Sequence, residues 1–446
     1  MIKKLFVFLF ALICLSLAAQ DMPFSVRSST KYGISSMFGF VDEDSITYAQ
    51  VRLIQEFKIK KFQLGLDLDF LFDEDLHLQE KDWDQLKDIP GKIYYFRYGR
   101  QGDPFFFHYG GITAYTIGNG LLMKNYTNMS FYPSVRNNGL LIGGAPPLPF
   151  RPSIEAFSSD FFKNDLLSLA ASFHPLPDSS SKIFDGTTLG FAVVTDRNQF
   201  SNLRHTLPDS LYQALDPGRK DALTAYSFDI NFPFSRERHA TFGTYAELSH
   251  INGHGTGFIL PGVYADFRVL KVNLEYRLHN DGFIPAYFDG LYEENRTILE
   301  YDDEGEPQLV TIEGQLERHP ASYGWYGRVQ SLIKDRIKSS LAFQYMYGSE
   351  LERGKSLWFS TRIDTRYKHL ESVSFSYSRV NVASLNPGKI AEPNAKLGFN
   401  FTVSLDAKRR WFVISKYSER YKDKEGGINW LRDTKRSFSI GLKYVY

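Results

Sequence analysis

The sequence predicts an all-β fold: a transmembrane, antiparallel, up-and-down β-barrel with an even number of strands, about 20 on direct count within bounds of 16–20. Three observations predict it. Apolar and polar residues alternate at period two along most of the chain. Short and long links take turns between the alternating runs. The third is composition. Aromatics make up 16% of the 446 residues, with 27 Tyr and 38 Phe against six Met, a bias that favours strands. Mean hydropathy is −0.30, and no long apolar run follows the N-terminus, which argues against a helical membrane bundle. Lys and Arg number 52 against 51 Asp and Glu, so the chain lacks the basic excess of a nucleic-acid binder. One cysteine excludes a disulfide framework and a thiolate metal cluster.

The elements follow in chain order. Residues 1–19 read as a cleavable signal peptide: Lys3 and Lys4 precede the apolar stretch Leu5–Leu15, and Ser16-Leu17-Ala18-Ala19 supplies small residues for cleavage. Residues 20–446 then form one barrel domain. Phe62, Leu64, Leu66, Leu68 and Phe70 alternate with Gln63, Asp67 and Asp69. Tyr226, Phe228, Ile230 and Phe232 alternate with Ser227, Asp229 and Asn231. Val272, Leu274, Tyr276 and Leu278 alternate with Asn273, Glu275, Arg277 and His279, and Leu397–Leu405 repeats the pattern. The apolar face belongs against lipid and the polar face in the lumen. The lumen-facing candidates are Asp67, Asp69, Asp229, Glu247, Glu275, Arg277, Arg362, Asp364 and Arg379.

Two stretches break the pattern. Residues 114–150 are rich in Gly, Asn and Pro, with apolar patches at Leu121-Leu122-Met123 and Leu140-Leu141-Ile142. They read either as an inward-folded constriction or plug, or as an external loop or irregular strand pair. Residues 281–317 carry 11 acidic residues against one basic residue, Arg296. They read as a long, solvated, acidic external loop, with a hairpin over Thr297–Val310.

From Ala222 onward the short links are basic, as at Arg236, Arg238, Lys334 and Arg336, whereas the long links are polar or acidic. Phe438, Ile440, Leu442, Tyr444 and Tyr446 lie on one face of the last run, which stops at an aromatic. Together the layout resembles Gram-negative outer-membrane β-barrels of porin-like size, whose tight turns face the periplasm and whose loops face outward. The terminal run resembles the insertion signal of such barrels, with Tyr in place of the usual Phe. The resemblance implies the cell outer membrane, reached by export, with outer-membrane lipids and the barrel-assembly machinery as partners. It also implies a porin-like channel for passive or facilitated passage of small polar solutes. A plugged barrel in surface polysaccharide or envelope assembly, or in adhesion, is the alternative, and an outer-membrane enzyme a lesser one.

For the enzyme reading the sequence offers His250 and His254 with Glu247 nearby, in a loop spacing that matches no catalytic template. It carries no motif for a cofactor or a catalytic or structural metal, and nothing in it specifies an oligomeric state or a particular solute. Deleting Tyr444–Tyr446 is expected to lower the yield of heat-modifiable barrel in the outer membrane; an unchanged yield would remove the insertion-signal assignment.

Overall fold

The computed structural model describes residues 32–43, 46–78, 89–132, 135–176, 186–207, 209–215, 221–236, 240–301, 304–334, 336–367, 369–386, 395–422 and 433–445. The signal segment and Tyr446 lie outside these residues.

Strands β1 (Tyr32–Glu43), β2 (Ile46–Ile59), β3 (Phe62–Phe72), β4 (Ile93–Tyr98), β5 (Phe106–Gly110), β6 (Gly139–Gly144), β7 (Ser153–Ser158) and β8 (Leu166–Phe173) make the first part of the wall. It continues through β9 (Thr188–Asp196), β10 (Leu223–Arg236), β11 (Ala240–Ile251), β12 (Thr256–Phe267) and β13 (Leu270–His279). A separate hairpin, β14 (Thr297–Tyr301) and β15 (Pro307–Thr311), interrupts the series. The wall resumes with β16 (Ser322–Ile333), β17 (Ile337–Tyr347), β18 (Lys355–Tyr367), β19 (Leu370–Val382), β20 (Ala395–Ser404), β21 (Trp411–Lys422) and β22 (Asp433–Val445).

Consecutive wall strands pair antiparallel, and β13 pairs β16 across the hairpin. The last strand, β22, pairs β1 from Gly33↔Val445 to Met37↔Gly441. The 20-stranded sheet therefore closes on itself. Closure leaves no edge, so the wall's backbone amides and carbonyls have partners without water.

Along the wall strands, one parity is apolar and exposed. Phe191, Phe228, Leu248, Leu274, Leu341, Phe343 and Phe399 are each between 37% and 50% exposed. Their polar neighbours Asp229, Glu247, Glu275 and Arg277 are buried. A water-soluble sheet has the reverse arrangement, because leaving a Leu or Phe in water forgoes about 1.5–3 kcal/mol. The apolar parity faces lipid, and the barrel stands in an outer membrane. Tyr and Trp gather near strand ends: the Tyr323 and Tyr347 rings lie 5.9 Å apart, Tyr276 and Trp325 5.0 Å, and Trp411 and Tyr444 4.7 Å. Such rings suit the interface, with an apolar body and a wet polar tip.

Within residues 114–150, Gly139–Gly144 is a wall strand paired with β5 and β7, so that part is not inserted. The three glycines let it pack tightly: a Cβ on Gly144 would sit 2.2 Å from the Pro104 carbonyl oxygen. The segment that leaves the wall is 111–138.

On β20, Phe399→Arg is expected to cost about 2–4 kcal/mol near the bilayer midplane, whereas Asn400→Arg on the opposite face costs little. Urea unfolding of both variants in lipid vesicles checks this; equal costs would mean the faces are misassigned.

Candidate functional site

Segment 111–138 leaves the wall at Gly110, whose φ of 102° favours glycine and where a Cβ would lie 2.5 Å from the Tyr94 carbonyl oxygen. Asn128 closes its neck. Its Oδ1 accepts from the Ile112 N–H at 2.8 Å, and its Nδ2 donates to the Ser159 carbonyl at 2.8 Å. Tyr115 and Tyr126 exchange backbone hydrogen bonds of 2.9 Å, and the chain turns through Gly118 and Gly120. At the tip, Leu121, Leu122 and Met123 have no exposed surface.

The contacts fix where this segment lies. The Tyr132 hydroxyl donates to Asp67 on β3, and the Tyr115 ring stacks on Phe157 of β7 at 4.7 Å. Glu247 of β11 accepts from the Asn119 and Leu121 N–H groups at 2.7 and 3.2 Å, and from Ser227 Oγ of β10 at 3.0 Å. The Lys124 ammonium lies 3.8 Å from the Tyr326 ring centroid on β16. Strands β3 and β16 stand almost opposite each other in the ring. A segment that touches both, with its tip wholly buried, crosses the interior of the barrel.

Link 280–321 covers the same region and corrects the solvated-loop expectation. Phe283, Tyr287, Phe288, Tyr292 and Leu316 are buried in it. Ala286 and Phe288 donate their N–H groups to the Leu121 and Leu122 carbonyls, and Lys124 N–H donates to the Phe288 carbonyl at 3.1 Å. Arg296, the one basic residue of 281–317, is 1% exposed and pairs with Asp196 of β9 and with Glu293 at 3.1 Å. The buried acids around Arg296 thus have specific partners: the Tyr126 hydroxyl donates to Glu293 of the link, and the Tyr292 hydroxyl to Asp196 of β9. The apolar and aromatic residues spaced among the acids, rather than the net charge, decide the fold of this link.

The structure divides the nine lumen candidates into three groups. Asp67, Asp69, Asp229, Glu247, Glu275 and Arg277 sit against the filled side. Arg52 makes two bonds of 2.8 and 2.7 Å to Asp67, and Gln50 donates to Asp69 at 2.8 Å. Asn231 donates to Asp229 at 2.8 Å, and Tyr245 hydroxyl to Glu275 at 2.8 Å. Arg277 Nε donates to Glu275 at 2.7 Å, and its Nη1 to Gln344 at 2.9 Å. Arg362 and Asp364 form the second group, paired at 3.0 Å and open to water. Arg379 is a correction. It shares the parity of Val373, Phe375 and Tyr377, pairs with outward Leu357, and donates to the Ser384 and Asn386 carbonyls. It ties back the following loop and does not line the lumen. His250 bonds Thr256, His254 bonds Glu313, and Glu247 bonds the inward segment, so separate partners hold these three apart.

Beside the filled region, part of the inner face of β16–β20 carries exposed polar side chains. One cross-strand row runs Ser340↔Ser360↔Ser376↔Gly398 in register, with Ser360 and Ser376 exposed. Lys338 pairs opposite Arg362, and Lys396 opposite Ser378; all three cations are exposed. Arg328 adds a guanidinium from β16, 3.4 Å from Ser340 Oγ. Lys396 lies one step before the alternating run Leu397–Leu405, and extending that parity by one position finds it; Lys338 lies at the start of β17, outside the alternating runs named from the sequence.

Lys124 sits where the filled region meets this wet face. Protein surrounds its ammonium, and Arg277 Cζ lies 4.3 Å from the same Tyr326 ring. Burial lowers its pKa to about 7, helped by the Arg277 and Arg328 charges and opposed by Glu275 and Glu247.

No family model matches the chain, and no curated protein matches it. Among solved structures it is similar to the FrpB iron transporter of Neisseria meningitidis, at 9% identity over 94% of this chain and 82% of that one, TM-score 0.36. It is similar to Wzi of Escherichia coli, an outer-membrane protein involved in group 1 capsule assembly and a carbohydrate-binding β-barrel, at 10% identity over 94% and 85%, TM-score 0.36. A third similarity is to OprD of Pseudomonas aeruginosa, at 7% identity over 96% and 98%, TM-score 0.33.

Carbon-13 methylation of lysines followed by NMR titration is expected to find one lysine, Lys124, with a midpoint near 7. Arg328→Ala should move that midpoint upward, because a repelling cation is gone. A lysine set titrating wholly near the ordinary value of about 10.4 would show that the ammonium is solvated.

Proposed function

We propose that this outer-membrane barrel is a narrow, porin-like channel for passive or facilitated passage of small polar solutes, and that segment 111–138 constricts its bore. The row Ser340–Ser360–Ser376–Gly398 carries this reading: small polar residues, inward and wet, on the wall beside the filled region. A ring of 20 strands is wider than its own side chains fill. Segment 111–138 and link 280–321 occupy one side of the excess, and the serine row leaves room for water on the other. Hydroxyl groups replace part of a solute's hydration shell without binding it tightly, as passage requires. The barrel-assembly machinery inserts the chain, and outer-membrane lipids surround it. We assign it no reaction.

The tight packing of Leu121–Met123 against Phe288 supports a second reading, a plugged barrel in envelope polysaccharide assembly or adhesion. Planar-bilayer conductance of the folded mature protein separates the two. A channel gives stable small steps, which grow severalfold when 113–127 is replaced by a short Gly-Ser linker. Silence from demonstrably folded protein would reject the channel and favour the plugged barrel.

A further inference from the structure

The two sides of this barrel's interior differ in how their charges are balanced: on the filled side Asp67 pairs with Arg52 and Glu275 with Arg277. The acids Asp67, Asp229, Glu247 and Glu275 are buried against the filled side, each holding hydrogen bonds from neighbouring groups. On the wet face cations are in excess. Among the described inward positions of β16–β20, the cations are Arg328, Lys338, Arg362 and Lys396, and the acid is Asp364. Asp364 is already engaged by Arg362 at 3.0 Å.

Resting on the channel reading above, we infer that the passage is selective for anions, its solute class being small molecules that bear carboxylate or phosphate groups. The wall register itself points there. Lys338 and Arg362 stand directly opposite each other on neighbouring strands. Like charges in that relation destabilise a sheet, and the water-exposed Arg362–Asp364 pair at 3.0 Å offsets that repulsion only weakly. An anion passing between them relieves the repulsion. Lys396 lies toward the opposite end of the strands from Lys338, so positive charge flanks the serine row on both sides. On the filled side Lys124 and Arg277 both lie within 4.3 Å of the Tyr326 ring; Arg277 is already bonded to Glu275, so Lys124 in its protonated form is the one that adds charge. The whole chain carries a formal charge of only +1. The positive field in the passage therefore comes from how the charges are sorted, and such a field in a low-dielectric tunnel raises the local concentration of counter-ions. Rings of Lys and Arg select anions by this means.

The test is the reversal potential of the folded mature protein in a planar bilayer under a KCl gradient. The expected result is a chloride permeability several times that of potassium, with the chloride current reduced by added inorganic phosphate. The triple variant Lys338→Glu, Arg362→Glu, Lys396→Glu, altered only at water-exposed lumen positions, should reverse the preference. A conducting wild-type protein that prefers potassium would overturn the anion inference and leave the channel standing. A conducting triple variant with unchanged chloride preference would overturn the assignment to these residues. Absence of current from folded, heat-modifiable protein would reject the channel and the inference together.

Discussion

A backbone in hydrocarbon has only itself to bond with, and that constraint governs this structure. The pairing of β22 with β1 meets it. An antiparallel ring needs an even number of strands, and 20 are present. Closure also forces each strand to show one face to lipid and the other to the lumen. The period-two alternation follows from that demand, from Phe62 on β3 to Leu405 just beyond β20. So does the exposure of Leu341 and Phe343 on a surface that water would not tolerate.

Closing so many strands creates a second problem, because the enclosed space exceeds what the wall's own side chains fill. This chain meets it with two links from one end of the barrel. Segment 111–138 brings in apolar residues at Leu121–Met123, and link 280–321 covers them with Phe283, Tyr287, Phe288 and Tyr292. Polar groups taken out of water in this way need partners. Glu247 accepts from backbone N–H groups, Asp67 accepts from Arg52 and Tyr132, and Arg296 donates to Asp196 and Glu293. A buried pair of that kind adds little net stability, but loss of either partner leaves a charge stranded. These contacts hold the inserted segment in one place. Acids and bases are both consumed there, in pairs such as Asp67–Arg52 and Asp196–Arg296, while the wet face keeps an excess of basic side chains.

The strand-bearing parts were legible in the sequence because alternation is local: Leu397–Leu405 shows its two faces without reference to any other residue. The inward parity of Asp229, Glu247, Glu275 and Arg277 was readable for the same reason. Three features were not. The acidic composition of 281–317 concealed Tyr287, Phe288 and Tyr292, whose role depends on Leu121–Met123 far away in the chain. Arg379 was placed in the lumen although its parity is that of Phe375 and Tyr377. Its charge suggested water, but the nearby Ser384 and Asn386 carbonyls accept from its two Nη groups. Segment 111–138 has no period because its contacts are spread over several strands, β3, β7, β11 and β16 among them.

By itself the sequence determined the class of fold, the facing of most wall residues and the alternation of short and long links, since each follows from neighbours along a strand and from the two solvents that strand meets. Tertiary structure decided which links turn inward, which charges are consumed by packing and which stay wet. Those outcomes depend on residues more than a hundred positions apart, such as Leu121 and Glu247, meeting across a closed ring, and no local pattern encodes that meeting.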